Sequence, residues 1–194
     1  MYDRDMPVLR DHALRDPAGL TDVITFVLLT IQQPLQQVAG QMADVRRHGE
    51  TSRYLFGSKR DGYRYAVENA GDLYRSVMDA VNAGDAIAAI DVVSAVPGLG
   101  IVKAAFVAQI VGLEVACLDT HNLRHLGLPE SAFKVGRVKR ETKLKKIRRY
   151  VDVCTETGGA RFWWNRWCDY VAGRRRSPLA TGDAVSAFHV QCVI

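Results

Sequence analysis

The sequence predicts an all-α fold. Apolar residues recur at three- and four-residue steps in most windows of the 194-residue chain, and no run alternates β-branched with polar residues between hairpin turns. A third observation is the turn Val96-Pro97-Gly98-Leu99-Gly100, set between two apolar segments. Hydrophobic residues make up 48% of the chain and charged residues 24%, which excludes disordered, collagen-like and coiled-coil compositions. The length suits one domain over 1–194, at most two small lobes sharing a cleft.

Thr21 and Asp22 are placed to cap a helix on which Val23, Phe26, Val27 and Ile31 share a face, and Pro34 ends or kinks it. A second helix carries on through Val38, Met42 and Val45. His48 to Asp61 is polar, contains Gly57 and reads as a loop. Val67, Ala70, Leu73, Tyr74, Val77, Met78 and Val81 predict one helix over Ala66 to Asn82; Gly84-Asp85 punctuates, and Ala86 to Ala95 follows. Beyond the turn, Ile101 to Val111 is apolar nearly all round, the pattern of a buried helix. Further helices are expected over Asp119 to Leu126, Val138 to Glu156, Ala160 to Ala172 and Gly182 to Val193. Phe162, Trp163, Trp164 and Trp167 read as core at helical spacing, and His189 reads as structural.

The cysteines, Cys117, Cys154, Cys168 and Cys192, form no CxxC pair, which argues against a zinc ribbon or an iron–sulfur cluster and for free thiols. No metal site is expected. The acidic and basic N-terminus lacks the order of a secretory signal, and Val23 to Ile31 is too short to span a bilayer that needs about 20 apolar residues. An intracellular protein without a membrane partner is expected. The net charge is +5, yet nine basic residues against Glu141 give Lys134 to Arg149 a local +8, leaving −3 for the rest. Beside a phosphate site, Lys139, Arg140, Lys143 and Lys146 in this run would make a second DNA backbone contact; otherwise the run is a solvated helix face.

Helix, Pro97-Gly98-Leu99-Gly100, helix is what a helix-hairpin-helix requires. Pro97 stops the first helix, and Gly98, Leu99 and Gly100 turn backbone N–H groups to one side at the start of the next. Such an array takes a DNA phosphate without reading base sequence, either directly or through a bound monovalent cation. A plain corner between helices uses the same residues. Tyr54, Phe56, Tyr63 and Tyr65 alternate with Arg53, Lys59, Arg60 and Arg64, a mixture suited to stacking on unpaired bases while holding phosphates. Among Gln32, Gln33, Gln36, Gln37 and Gln41, Gln33 is placed to reach a cleft because it stands where Pro34 interrupts the helix. Lys103 either snorkels to the surface or meets an anionic substrate. Gln109, six residues on and nearly opposite in angle, is expected in buried hydrogen bonding, away from any pocket that Lys103 faces.

Val96-Pro97-Gly98-Leu99-Gly100, the apolar helix with Lys103, Ala104 and Ala105, and then Leu118-Asp119-Thr120-His121 resemble the core signature of the helix-hairpin-helix DNA glycosylase superfamily. The resemblance covers about 30 residues. It implies a helical bundle of two lobes with DNA in the cleft, the hairpin (within 86–111) on the backbone, and Asp119 as the catalytic carboxylate facing a flipped nucleotide. Taken alone, Asp119 is a good helix cap, a role compatible with catalysis. Likewise His121 and Asn122 either line the pocket, with Asn122 on a pyrimidine edge, or are structural. Bifunctional members carry a Schiff-base Lys two residues after the second hairpin Gly; Val102 stands there, with Lys103 rotated from it by about 100°. The four-Cys iron–sulfur loop of many members is also missing.

Gly98 to Gln109 followed by Cys117-Leu118-Asp119-Thr120-His121-Asn122 is most similar to the phage thymine-hypermodification branch, the glutamyl/putrescinyl thymine pyrophosphorylase-like amino acid:DNA transferases. That resemblance implies transfer of an amino acid or polyamine amine onto a (pyro)phosphorylated 5-hydroxymethyl-deoxyuridine in DNA, with no required cofactor, in the host cytoplasm if the chain is phage-encoded. Asp119 would deprotonate or orient the amine, and Lys103 or a nearby Arg would neutralise the leaving group. A DNA base-excision glycosylase without lyase activity and a non-catalytic DNA-binding module are the alternatives.

Overall fold

The computed structural model describes residues 2–33, 35–136 and 138–174. They form ten α-helices, and no strand occurs among the described residues. The helices are α1 (Tyr2–Arg15), α2 (Pro17–Leu29), α3 (Leu35–His48), α4 (Ser58–Glu68), α5 (Ala70–Ala83), α6 (Ala86–Val93), α7 (Ile101–Ile110), α8 (Thr120–His125), α9 (Arg140–Glu156) and α10 (Gly159–Arg174). None is long and apolar enough to cross a membrane. The expected helix over Gly182 to Val193, with His189 and Cys192, lies outside the described residues.

The bundle is built around α2 and α7. From Val23 to Leu29 every residue of α2 is buried, and α7 is buried from Ala104 to Ile110, so each must be covered on all sides. Neighbours α1, α4, α5 and α3 surround α2, while α6 packs on α7. The start of α2 differs from the Thr21-Asp22 cap that the sequence suggests. Asp16 is the cap, accepting the Gly19 N–H at 2.7 Å, and Pro17 follows at the first helical position, where a missing N–H costs nothing. Asp22 instead lies 3.2 Å from His12 Nε2 and 3.0 Å from Arg46 Nη2. Burial opposes its ionisation, but those partners outweigh burial and hold the carboxyl below the usual range.

One helix goes beyond the sequence reading, and two further expectations are corrected. Helix α1, which buries Met6, Leu9 and Ala13 on one stripe, carries a three- and four-residue spacing that the long polar intervals obscure. The single helix over Ala66 to Asn82 is two helices: Asn69 ends α4, its amide and side chain both donating to Tyr65 O, and Val67 is 49% exposed. The loop reading of His48 to Asp61 holds for only part of that stretch, since α4 already begins at Ser58. The helices around the turn run as expected, with Gly84 in the left-handed region closing α5 (φ 64°) and Asp85 capping α6.

Candidate active site

The turn between α6 and α7 is held from outside by α4. A Cβ on Gly62 would lie 2.3 Å from Pro97 O, so the glycine lets α4 sit against the turn backbone. Gly98 has φ 85°, which favours glycine, and a Cβ there would stand 3.2 Å from Ser58 O. Gly100 is exposed and extended (φ −82°, ψ 179°), and no side chain among the described residues caps α7. Lys103 and Ala104 donate to Gly100 O, leaving the Ile101 and Val102 N–H groups without an acceptor inside the helix. Leu99 does not belong to this array: its N–H donates to Val96 O at 3.0 Å and its side chain is buried, because it anchors the turn in the core.

Behind the turn lies a cavity of about 890 Å³. Its walls come from Thr30 to Gln33 after α2, from α7, from the segment Cys117 to His121, and from α10. Asp119, Lys103, Gln33 and His121 are thereby brought together, although Gln33 is near in sequence to none of the others. Lys103 Nζ is 3.5 Å from Thr30 Oγ1 and stands over the Phe106 ring at 5.7 Å. Both Lys103 and Gln109 line this cavity, against the expectation from their angular separation, because it runs along α7 for the length of the helix. Burial raises the Cys117 thiol to about 11 despite Lys103, so this wall residue is a protonated thiol at neutral pH.

Asp119 caps α8, with Oδ1 accepting from the His121 and Asn122 N–H groups at 3.0 Å each; Oδ2 takes no part in the cap. The approach to it is fixed by three buried side chains. Tyr150 of α9 donates its hydroxyl to Ala116 O at 2.6 Å and accepts the Leu118 N–H at 2.8 Å. Gln109 accepts the Cys117 N–H at 3.2 Å and donates to Ala160 O at 2.9 Å, the buried bonding its sequence suggested. Asn122 donates to Cys117 O at 3.1 Å. That bond corrects its assignment to a base edge: Asn122 is 3% exposed and faces away from the main cavity, onto a second one between α8 and α10.

Tyr54 lies outside the cavity, and its hydroxyl accepts from Arg53 at 2.8 Å. Nearby cations are tied down as well: Arg60 donates to Leu55 O, Arg64 pairs with Glu50, and Lys59 donates to Ile31 O at 2.9 Å. Phe56 stays 57% exposed.

The aromatic wall is what sequence reasoning missed. Trp163 and Trp164 are buried as expected of core residues, yet both line the cavity together with Trp167, Phe106 and Phe133. Trp164 stacks obliquely between Phe106 (centroids 6.1 Å) and Trp167 (5.7 Å), and its buried Nε1–H has no acceptor among the described residues. The signal in the sequence is three indoles within five residues of one helix. Phe162, the fourth of the group, is 45% exposed and lines the second cavity.

The basic run is less free than its +8 suggests. Lys143 Nζ lies 2.9 Å from Asp91 Oδ1 and Arg140 Nη2 lies 3.3 Å from Asp91 Oδ2, which fastens α9 to the first helix of the hairpin. Burial raises the Asp91 pKa, but these cations outweigh it and hold the carboxyl below the usual range. Lys146 donates to Lys134 O at 2.8 Å and Lys145 pairs with Glu141, while Lys139 stands exposed before α9. Among the described residues no group of acids, histidines and cysteines has the arrangement of a metal site, and Cys117, Cys154 and Cys168 are free thiols.

No family model, no curated protein and no solved structure matches the chain. The helix-hairpin-helix resemblance therefore rests on the residues of the chain itself.

Proposed function

We propose that the chain is a DNA base-modifying transferase of the helix-hairpin-helix glycosylase type, with DNA lying in a cleft between two helical lobes and the hairpin on its rim. One observation carries the reading: an aromatic cavity next to an open, glycine-built helix start holds a carboxylate, Asp119, and an ammonium, Lys103. A flipped pyrimidine would be held against this aromatic wall, as bases stack on aromatic rings. In the reaction, the bond from the 5-methylene carbon to the bridging phosphate oxygen breaks, and its electron pair leaves with the oxygen. Conjugation through the ring assists that departure, and Lys103 balances the charge that develops on the phosphate. The donor nitrogen of an amino acid or polyamine bonds to the methylene carbon, and its proton passes to the Asp119 carboxylate. Oδ2 of Asp119, outside the cap, is the oxygen suited to receive it.

The test is a product analysis. The protein is incubated with DNA containing phosphorylated or pyrophosphorylated 5-hydroxymethyluracil and a mixture of amines, then digested to nucleosides for mass spectrometry. A nucleoside in which the amine nitrogen has replaced the oxygen on the 5-methylene carbon supports the transferase. Release of free base would identify a glycosylase, and bound but unchanged DNA would identify a binding module.

A further inference from the structure

The last turn of α6 carries an acid where the helix dipole calls for a cation. Asp91 stands in that turn, before the helix ends at Val93, so its charge adds to the partial negative charge of the free carbonyls there. Burial opposes its ionisation as well. Two side chains of α9 answer it, Lys143 Nζ at 2.9 Å from Oδ1 and Arg140 Nη2 at 3.3 Å from Oδ2.

Fastening α9 to α6 does not need that carboxylate. Lys143 Nζ also donates to the backbone carbonyl Asp91 O at 3.1 Å, which accepts Ser94 Oγ at 3.0 Å too, and an ammonium on that carbonyl suits a helix C-terminus by itself. Arg140 is 81% exposed, and an ion pair that open to water adds little stability. What the carboxylate does add is neutrality. It holds two cations of the Lys134 to Arg149 run, one on each oxygen, in the way that a phosphate holds them.

We propose that Asp91 is an internal stand-in for a DNA phosphate, a specificity-determining residue that masks Arg140 and Lys143 against polyanions at large. An outside anion must displace the carboxylate to reach either cation, so a polyanion that meets α9 alone gains little from them. A duplex seated on the Gly98 to Gly100 turn lies beyond the end of the same helix, where its backbone competes with Asp91 at close range. The mask rests on the reading above for its DNA partner and on none of its chemistry.

The experiment measures the affinity of the full chain for labelled heparin and for unmodified duplex DNA by fluorescence anisotropy. Asp91→Asn keeps the shape and the backbone acceptor of Lys143, so the variant should fold. Its affinity for heparin, which offers no duplex to the turn, should rise about tenfold, the effect of one charge several ångströms away in a partly screened site. Affinity for duplex should rise by less, so that the two are told apart less well. Asp85→Asn, the same change of charge at the exposed start of the same helix, should give a clearly smaller rise for heparin. In a chain that carries Arg140→Gln and Lys143→Gln, Asp91→Asn should add nothing. A rise for heparin no larger than that of Asp85→Asn, a rise that survives without the two cations, an equal rise for duplex, or no binding of either polyanion would overturn the proposal. Should Asp91→Asn not fold, the cations decide: Arg140→Gln should weaken heparin binding less than Lys139→Gln, and an equal loss would overturn the mask. The transferase reading fails separately: the expected affinities with no modified nucleoside keep the mask and remove the reaction, and modified nucleoside with affinities unmoved by Asp91→Asn does the reverse.

Discussion

At the entrance to α6, Asp85 accepts the Ala88 N–H at 2.9 Å; at the entrance to α8, Asp119 accepts those of His121 and Asn122 at 3.0 Å each. Both residues are extended and both do what an N-cap aspartate does. Asp85 is exposed and borders neither cavity, and its surroundings ask nothing more of it. Asp119 lies on the wall of a cavity, at the end of a segment held by Tyr150, Gln109 and Asn122, with Lys103 and three indoles around the same space. Capping is thus a local property of the residue, whereas a candidate catalytic role comes from what distant parts of the chain bring beside it.

The largest effect is expected at Asp119. Asn keeps the cap and nearly the shape, so Asp119→Asn should fold and bind DNA while turnover, read as modified nucleoside by mass spectrometry, falls at least about a hundredfold. Full activity in this variant would make Asp119 the equivalent of Asp85 and end the comparison. Next comes the turn. Gly100 has a backbone conformation open to any residue and no described residue within 4 Å of its Cβ position, so Gly100→Val should fold and yet obstruct the α7 start. DNA affinity should drop about tenfold for any sequence, the worth of a hydrogen bond to a charged group; unchanged binding by fluorescence anisotropy would take the turn out of the interface.

Asp85→Ala sharpens the contrast from the other side. Loss of the cap should lower stability by about 1 kcal/mol in chemical denaturation and leave turnover per folded molecule as it was. A drop in turnover would show that the hairpin transmits strain to the site. The smallest effect concerns the basic run. Neutralising Lys139 and Lys146 should flatten the slope of log affinity against log salt by up to about 0.9 for each DNA phosphate that then keeps its counterion. Neutralising Arg140 and Lys143 should flatten it less, because Asp91 already balances them. Equal slopes for both pairs of changes would mean that the Asp91 ion pairs do not hold in solution.

Legibility along the chain follows the range of the forces involved. The turn, the buried α7 and the Asp119 cap are written in neighbouring residues: Pro97 and two glycines cannot continue a helix, and an all-apolar segment has no face to offer water. The division at Asn69 was hidden because the apolar spacing runs on through it, and what ends α4 is a side-chain bond to Tyr65 O rather than a proline or glycine. Leu99 and Asn122 were misassigned for a related reason. A motif gives a residue's place in the chain, but whether its polar groups are free depends on partners such as Val96 O and Cys117 O, which are visible only once the turn closes.

By itself the sequence determined the helical class, the hairpin corner, the cap at Asp119 and the clustering of positive charge, all consequences of backbone preference and local spacing. Tertiary structure alone decided which groups share a space. It set Gln33 and Lys103 on one cavity, turned the Trp163, Trp164 and Trp167 rings from filler into wall, drew Lys59 to the end of α2, and anchored Arg140 and Lys143 to Asp91. Those contacts join residues 28 to more than 100 positions apart, and burial of α2 and α7 forces their surroundings to converge; no spacing rule over a helical turn or two carries that information.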